Sequence, residues 1–225
     1  MKAWLRRAGR VLIDVIWPRG FICLICDELA EDGCLCSECR KQLEEARLTD
    51  QSGSVRSAYR YYSPAGKLVK AFKFRLVVDS LDILADAMAE EARVMNLPED
   101  TVITWVTMPG KRMRERGIDH GRTLAVAVGE RLGLPVKKLL IRRKDGRTQR
   151  GLNKADRLKN LAGKFWCGKK LTTPVLLIDD VRTTGATIDV CRRALLTAGA
   201  PAVFALTATW VINMKGDFDY GLYAP

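Results

Sequence analysis

Two adjacent carboxylates, followed by a loop of threonine and glycine, form the pattern in this chain that specifies chemistry most clearly. Asp179 and Asp180 come directly after the apolar residues 175–178, whose composition is typical of a strand buried on both faces of a parallel sheet. The acids are therefore expected at the carboxyl end of that strand, the edge at which open α/β sheets bind ligands. The loop that follows them consists of Thr183, Thr184, Gly185, Ala186 and Thr187.

This loop has the composition of a phosphate-binding turn at the start of a helix. The N–H groups of a helix N-terminus and its positive dipole end attract an anion, and threonine hydroxyls add donors. Gly185 lets an anion approach the backbone because it has no Cβ. Carboxylates repel phosphate, so Asp179 and Asp180 are expected to face the vicinal hydroxyls of a ribose or a hydrated Mg²⁺. The alternative is an ordinary strand-to-helix turn whose threonines only cap the helix.

The positive charge of the chain is concentrated in its central segment. The 225 residues carry a formal net charge of +12, and a hydrophobic share of 48% is ordinary for a globular protein with a full core. Residues 111–170 contain nineteen Lys and Arg against five Asp and Glu, so the rest of the chain is close to neutral. This asymmetry implies a polyanionic partner, either the phosphates of a small molecule or a nucleic-acid backbone. The alternative is a solvated basic face that only aids solubility.

Two basic segments are expected to flank the acids. The first follows a predicted strand at 101–107 and therefore lies at the same sheet edge, where it can reach a second anionic group such as pyrophosphate. The second is the long polar loop 142–159, which has the Gly and Arg content of a mobile cover. Arg112, together with Asp179 and Asp180, is predicted to be catalytic. The basic residues predicted to contact pyrophosphate or nucleic acid are Lys111, Arg112, Arg114, Arg116, Arg147 and Arg150.

Four of the seven cysteines have the spacing of a structural zinc site. They form two Cys-x2-Cys pairs with nine residues between them, Cys23, Cys26, Cys36 and Cys39. Thiolates at this spacing can complete one tetrahedral Zn²⁺ site. Disulfides are the competing interpretation, but without a secretory signal the compartment is expected to be reducing. Cys34 is either an alternative ligand or a spare thiol.

The remaining pattern predicts an α/β fold with a mostly parallel twisted sheet flanked by helices, preceded by a small zinc-ribbon-like module. The module occupies residues 1–50 and the α/β domain residues 51–225. Strands are predicted at 54–62, 101–107, 175–178 and 202–210, and helices at 64–74, 80–94, 121–132 and from the threonine loop to 198. The apolar residues of the first of these helices are expected to face inward, namely Leu68, Val69, Phe72 and Phe74.

The N-terminus predicts an amphipathic helix at 4–16 that ends before Pro18. Its basic residues and apolar run superficially suggest a signal peptide, but Asp14 interrupts the run and no small-residue cleavage site follows. No apolar run has the length of a membrane span. These features predict a cytoplasmic protein without a transmembrane span, in which the helix packs on its own chain; association of its basic face with a membrane surface remains open.

Residues 175–187 resemble the 5-phosphoribosyl-1-pyrophosphate (PRPP) signature of the type I phosphoribosyltransferases, which is an apolar strand, two acids and a Thr-Thr-Gly-x-Thr loop. The whole chain resembles the ComF (competence protein F) family, in which a helix and a four-cysteine zinc module precede a phosphoribosyltransferase domain. Besides the signature and the cysteines, the matching residues are the segment 62–75, Arg114, Arg116, Gly117, Ile118, Asp119, His120, Thr148, Gln149, Gly151, Leu152, Arg157 and Asn160. His120 stands where the family usually has Gln, and residues 108–110 are a loose form of its proline-containing loop.

The resemblance implies a type I phosphoribosyltransferase fold with a PRPP site. Asp179 and Asp180 then hold the ribose 2′ and 3′ hydroxyls, the loop from Thr183 to Thr187 binds the 5′-phosphate, and Mg²⁺ accompanies PRPP. It also implies a role in natural transformation, with binding of single-stranded DNA and a helicase-like competence ATPase as a partner. His120, the sole histidine, is expected in polar packing or a phosphate contact rather than as a general base.

Three functions stay open at this point. The first is a ComF-type DNA-uptake protein that binds single-stranded DNA and has a PRPP-like ribose-phosphate site. The second is an active Mg²⁺-dependent phosphoribosyltransferase, for which the sequence identifies no acceptor. The third is a regulator that senses PRPP or a nucleotide without turnover.

Overall fold

The structure is a computed structural model, and it describes residues 22–30, 33–49, 51–62, 64–75, 77–110, 113, 117–143 and 163–212. The predicted N-terminal helix at 4–16 lies outside these residues. Most of the loop 142–159 lies outside them as well. No helix in the described part of the chain combines the length and the apolar character needed to cross a bilayer.

Within the described residues, four parallel strands form the central sheet. The strands of the described residues are β1 (Val55–Arg60), β2 (Val102–Trp105), β3 (Leu140–Arg142), β4 (Phe165–Cys167), β5 (Val175–Arg182) and β6 (Val203–Trp210). The sheet has the order β1-β6-β5-β2, and each neighbouring pair is parallel. The carboxyl ends of all four strands therefore lie at one edge. Strands β3 and β4 form a separate antiparallel pair, which the sequence analysis did not predict.

Helices cover both faces of this sheet. They are α1 (Ser37–Glu45), α2 (Pro64–Lys70), α3 (Val78–Arg93), α4 (His120–Leu132) and α5 (Ala186–Thr197), and a π-helical turn, Ala71–Arg75, continues α2. Helices α3 and α4 pack on one face, while α5 and the β3–β4 pair pack on the other. Strand β5 is buried between them, because Leu176 and Ile178 join the first apolar cluster and Val175 and Leu177 join the second. The predicted α/β class with a parallel sheet is confirmed.

Two details differ from the sequence-based expectations. Strand β5 extends through the acids to Arg182, because its pairing with β6 continues as far as Arg182 opposite Trp210. The helix predicted at 64–74 is α-helical only to Lys70 and then widens into the π turn. A π turn holds an extra residue, which rotates the side chains after it relative to the α-helical pattern. Phe74 is accordingly 67% exposed rather than facing inward.

The four-cysteine segment packs directly against the α/β domain. After α1 the chain pairs antiparallel with β1 at Arg47 and Tyr59, and the Arg47 guanidinium lies 5.3 Å from the centroid of the Tyr59 ring. Cys23, Ile25 and Leu43 belong to the same apolar cluster as the residues of α2 and α3. Described residues on the two sides of position 50 thus contact each other, and the division into residues 1–50 and 51–225 stays a prediction.

Candidate functional site

The acid pair lies in the carboxyl-terminal half of β5, with a lysine beside it. The Asp180 Oδ1 atom is 2.8 Å from the Lys73 Nζ atom, and both side chains are 20% exposed. The backbone N–H of Asp180 donates to Asp179 Oδ1 over 2.9 Å. Successive side chains of a strand alternate between faces, so Asp180 lies on the side of the π turn and Asp179 on the side of α5.

The two carboxyl groups differ in their electrostatic surroundings. Burial raises the pKa of Asp179 to about 8, and the neighbouring Asp180 carboxylate acts in the same direction. The backbone hydrogen bond and the Lys73 ammonium oppose this shift without cancelling it. At neutral pH the Asp179 carboxyl therefore mostly keeps its proton, whereas Asp180 is paired with a cation.

The loop after β5 places a helix N-terminus next to the acids. Gly185 precedes the first residue of α5 in the left-handed conformation, with φ 79°, which an L side chain rarely adopts. Thr183 and Thr184 are exposed, and Ala186 and Thr187 are half-buried. The Ala186 N–H lies 3.4 Å from Thr184 Oγ1. The structure therefore brings the predicted acids and the predicted phosphate loop together on one strand-loop-helix unit.

The predicted basic contacts cannot be placed in the same way. Lys111, Arg112, Arg114, Arg116, Arg147 and Arg150 lie outside the described residues. The ends of the first basic segment are nevertheless fixed at the sheet edge. It leaves from β2, whose last residue Trp105 donates from Nε1 to Asp119 Oδ2 over 2.9 Å. Asp119 also caps α4, because its Oδ1 accepts the Arg122 N–H over 3.2 Å.

Lys73 is a residue of this site that the sequence analysis did not assign. The sequence places it in the predicted helix 64–74 and in the family-matching segment 62–75 without a role of its own, and its position next to Asp180 depends on the π turn. Gly66 helps to place α2, because a Cβ at this position would collide with the backbone oxygen of Tyr61. The available sequence signal was a basic residue between two phenylalanines, Phe72 and Phe74.

His120 takes a packing role. It is 1% exposed, and its ring meets the Phe72 ring edge-on with the centroids 5.3 Å apart. This burial favours packing over a phosphate contact, the other role predicted for it.

The four predicted cysteine ligands form one cluster. The Sγ atoms of Cys23, Cys26, Cys36 and Cys39 all lie within 4.8 Å of one another. The Cys26 and Cys36 sulfurs are 3.7 Å apart, close to the edge of about 3.8 Å in a tetrahedron with Zn–S bonds of about 2.3 Å. The Cys39 N–H also points to Cys36 Sγ at 3.4 Å. Four thiols in this arrangement fit a closed structural Zn²⁺ site.

The other three cysteines do not belong to this cluster. All seven cysteines are free thiols, so no disulfide competes with the metal interpretation among the described residues. Cys34 is half-buried and is not one of the four clustered sulfurs. The geometry therefore favours a spare thiol at Cys34 over a metal ligand.

Comparisons with known proteins returned matches only among solved structures. No protein-family model matches the chain, and no curated protein does. The chain is 21% identical to the glutamine PRPP amidotransferase of B. subtilis, covering 57% of this chain and 26% of that one, with a TM-score of 0.39. It is 18% identical to the orotate phosphoribosyltransferase of Aeropyrum pernix (65% and 64% covered, TM-score 0.37). It is 12% identical to the adenine phosphoribosyltransferase of Leishmania donovani (79% and 93% covered, TM-score 0.41). The chain thus spans about a quarter of the amidotransferase.

The raised pKa of Asp179 predicts a stability that depends on pH. Its pKa is 3.8 in the unfolded chain and about 8 in the folded protein, so the folded state binds the proton more tightly and stability falls as pH rises through this window. Asp179→Asn keeps the size of the side chain and cannot ionise. We expect urea titrations to show that its stability advantage over the wild type grows between pH 6 and pH 8, by on the order of 1–2 kcal/mol.

The matched control is Asp189→Asn, since Asp189 is exposed on the first turn of α5. Its unfolding free energy should run parallel to that of the wild type over the same range. Parallel curves for Asp179→Asn as well would contradict the assigned shift.

The cysteine cluster predicts about one Zn²⁺ per chain, measured by elemental analysis of the purified protein. Cys26→Ser should lose the metal and lower the thermal midpoint, because metal binding contributes folding free energy to a segment this small. Cys34→Ser is the matched control, and it should keep both the bound metal and the thermal midpoint of the wild type. Equal zinc loss in the two variants would show that the ligand set is wrong.

Proposed function

We propose that this protein binds a ribose 5-phosphate ligand, PRPP being the leading candidate, at the carboxyl end of β5, in the manner of a type I phosphoribosyltransferase. One observation carries the proposal: the acid pair, the left-handed Gly185 turn and the N-terminus of α5 belong to a single strand-loop-helix unit. These groups suit the two ends of a sugar phosphate. Carboxyl groups accept hydrogen bonds from hydroxyls, and a helix N-terminus binds the anion.

The proposed roles follow the charges of the site. The 5′-phosphate lies against the N–H groups and hydroxyls from Thr183 to Thr187. The Asp180 carboxylate accepts hydrogen bonds from the ribose hydroxyls. The protonated Asp179 carboxyl can both donate to them and accept from them. These roles are supported by the exposure of Thr183 and Thr184 and by the position of both acids on the strand that leads into the loop, with Val181 and Arg182 between the acids and the loop.

In the transferase form of this proposal, the bond between ribose C1 and the pyrophosphate oxygen breaks, and the bonding electrons leave with pyrophosphate. An acceptor nucleophile then forms the new bond to C1. Such a reaction needs mainly electrostatic stabilisation of the departing anion, and Arg112 with Lys111, Arg114 and Arg116 is the proposed source. The acid pair as arranged does not suit direct coordination of Mg²⁺, because Asp180 is paired with Lys73. A regulator that senses PRPP without turnover would bind the same ligand at the same site.

A ComF-type role in handling single-stranded DNA, with a helicase-like competence ATPase as partner, is the second candidate. The surplus of basic residues in 111–170 favours it, and so does one aromatic surface. Trp166 is 39% exposed on β4, and the Arg143 guanidinium lies 5.0 Å from the centroid of its ring. A base can stack on such a ring while an arginine beside it contacts phosphate. Tyr59 and Trp105, two further aromatic residues that could offer stacking surfaces if exposed, are buried in the core.

The ribose-phosphate proposal is tested by isothermal titration calorimetry with PRPP and with ribose 5-phosphate. Asp180→Asn removes the charge while keeping the shape, and we expect it to weaken both ligands by roughly tenfold or more, the value of a charge-assisted hydrogen bond. Glu99→Gln is the control, because Glu99 is exposed before β2, at the opposite edge of the sheet. Absence of binding to the wild type, or equal affinity of Asp180→Asn, would rule out the proposed site.

The DNA proposal is tested separately by fluorescence anisotropy with a labelled oligothymidylate. Trp166→Ala should weaken binding by roughly 5- to 100-fold, the value of about 1–3 kcal/mol for one base stacked on an aromatic ring, without changing PRPP affinity. Affinity for the oligonucleotide should also fall steeply as salt increases. Leu196→Ala, at an exposed apolar residue of α5, is the control. Salt-insensitive binding, or none, would exclude this role.

A further inference from the structure

The π turn Ala71–Arg75 delivers a cation to the edge of the sheet. A π turn inserted after a regular helix is rare, is less favourable than a continued α-helix, and is frequent at functional sites. Here the turn carries Lys73 to Asp180, where the two groups are 2.8 Å apart. The lysine is therefore positioned by an irregular backbone element rather than by the ordinary course of α2.

The environment of this ion pair suits a ligand better than a purely structural role. Each side chain is 20% exposed, so the pair is sheltered enough to strengthen its electrostatics while remaining accessible. An ammonium has three donors, and Asp180 accepts one of them, which leaves up to two for an incoming oxygen. A structural ion pair at such a place adds little stability, since its desolvation offsets its attraction.

We infer that Lys73 is a ligand-binding residue of the ribose-phosphate site, whose ammonium bridges Asp180 and an anionic oxygen attached near the ribose hydroxyls. This inference rests on the proposed function and deepens it. The ligand class that uses this contact is a ribose 5-phosphate with a second anionic group at C1, such as a diphosphate. In this arrangement the chain supplies its own cation where a divalent metal would otherwise be needed.

Two consequences distinguish this role from a structural one. Lys73 should matter for a ligand with the second anionic group and hardly for ribose 5-phosphate, which lacks it. Binding of the diphosphate ligand should also require little added Mg²⁺ while Lys73 is present, and more when it is absent. A lysine that only holds the fold would affect both ligands equally.

The experiment is isothermal titration calorimetry with PRPP and with ribose 5-phosphate, each in magnesium-free buffer and with added Mg²⁺. The proteins are the wild type, Lys73→Met, Lys73→Arg and Lys70→Met. Lys70 is the matched control, because it is an exposed lysine at the end of α2, three residues before Lys73. Circular dichroism and thermal melting confirm that each variant is folded.

We expect Lys73→Met to weaken PRPP by roughly 10- to 100-fold in magnesium-free buffer, the value of a hydrogen bond to a charged group. Added Mg²⁺ should recover part of this loss, and ribose 5-phosphate affinity should change less than about threefold. Lys73→Arg should retain part of the affinity, and Lys70→Met should match the wild type.

Equal PRPP affinity of Lys73→Met and the wild type in magnesium-free buffer would overturn the inference, as would an equal loss for both ligands. These results would leave the proposed function intact, because the wild type still binds. If the wild type binds neither ligand, the proposed site itself fails and the inference falls with it.

Discussion

The parallel pairing of β5 with β6 continues past the apolar part of β5, and this continuation holds the candidate site in place. Thr207 lies opposite Asp179, Thr209 opposite Val181, and the Thr209 hydroxyl donates to the Asp180 backbone oxygen over 3.2 Å. One residue later, the Arg182 guanidinium lies 4.2 Å from the centroid of the Trp210 ring. The acids are therefore carried by a strand rather than by a loop, and the Gly185 turn starts from a fixed point.

This placement brings like charges together at a half-buried edge, and the surrounding groups reduce the resulting repulsion in two ways. The Lys73 ammonium pairs with Asp180. The Asp179 carboxyl, whose pKa is raised to about 8, mostly keeps its proton at neutral pH. Near neutral pH the three groups together carry a net charge close to zero. The acid pair therefore does not repel a phosphorylated ligand as two carboxylates would. The positive N-terminal end of α5 is then the main local source of electrostatic attraction for its phosphate.

The elements that sequence alone predicts here are those determined by residues close together along the chain. An apolar run with acids and a Thr-Gly loop specifies β5, its turn and α5, and paired Cys-x2-Cys motifs specify the sulfur cluster, because spacing along the chain fixes both. The position of Lys73 has no such local cause. The 64–74 segment has the periodicity of a continuous helix, which predicts neither the π turn nor the exposure of Phe74. The β3–β4 pair was missed for a related reason: it joins two three-residue strands on either side of a long basic segment.

The four-cysteine segment supports the candidate site through its contact with α2. The Lys67 Nζ atom donates to the Ile25 backbone oxygen over 2.9 Å, next to the first Cys-x2-Cys pair. Cys23 and Ile25 also share an apolar cluster with Leu68 of α2. Helix α2 runs directly into the π turn, so a segment that is too short to bury its own core supports the helix that delivers Lys73 to Asp180. The spacing of the cysteines and the charge balance at the acid pair are therefore linked through one short helix, although they lie far apart in the sequence.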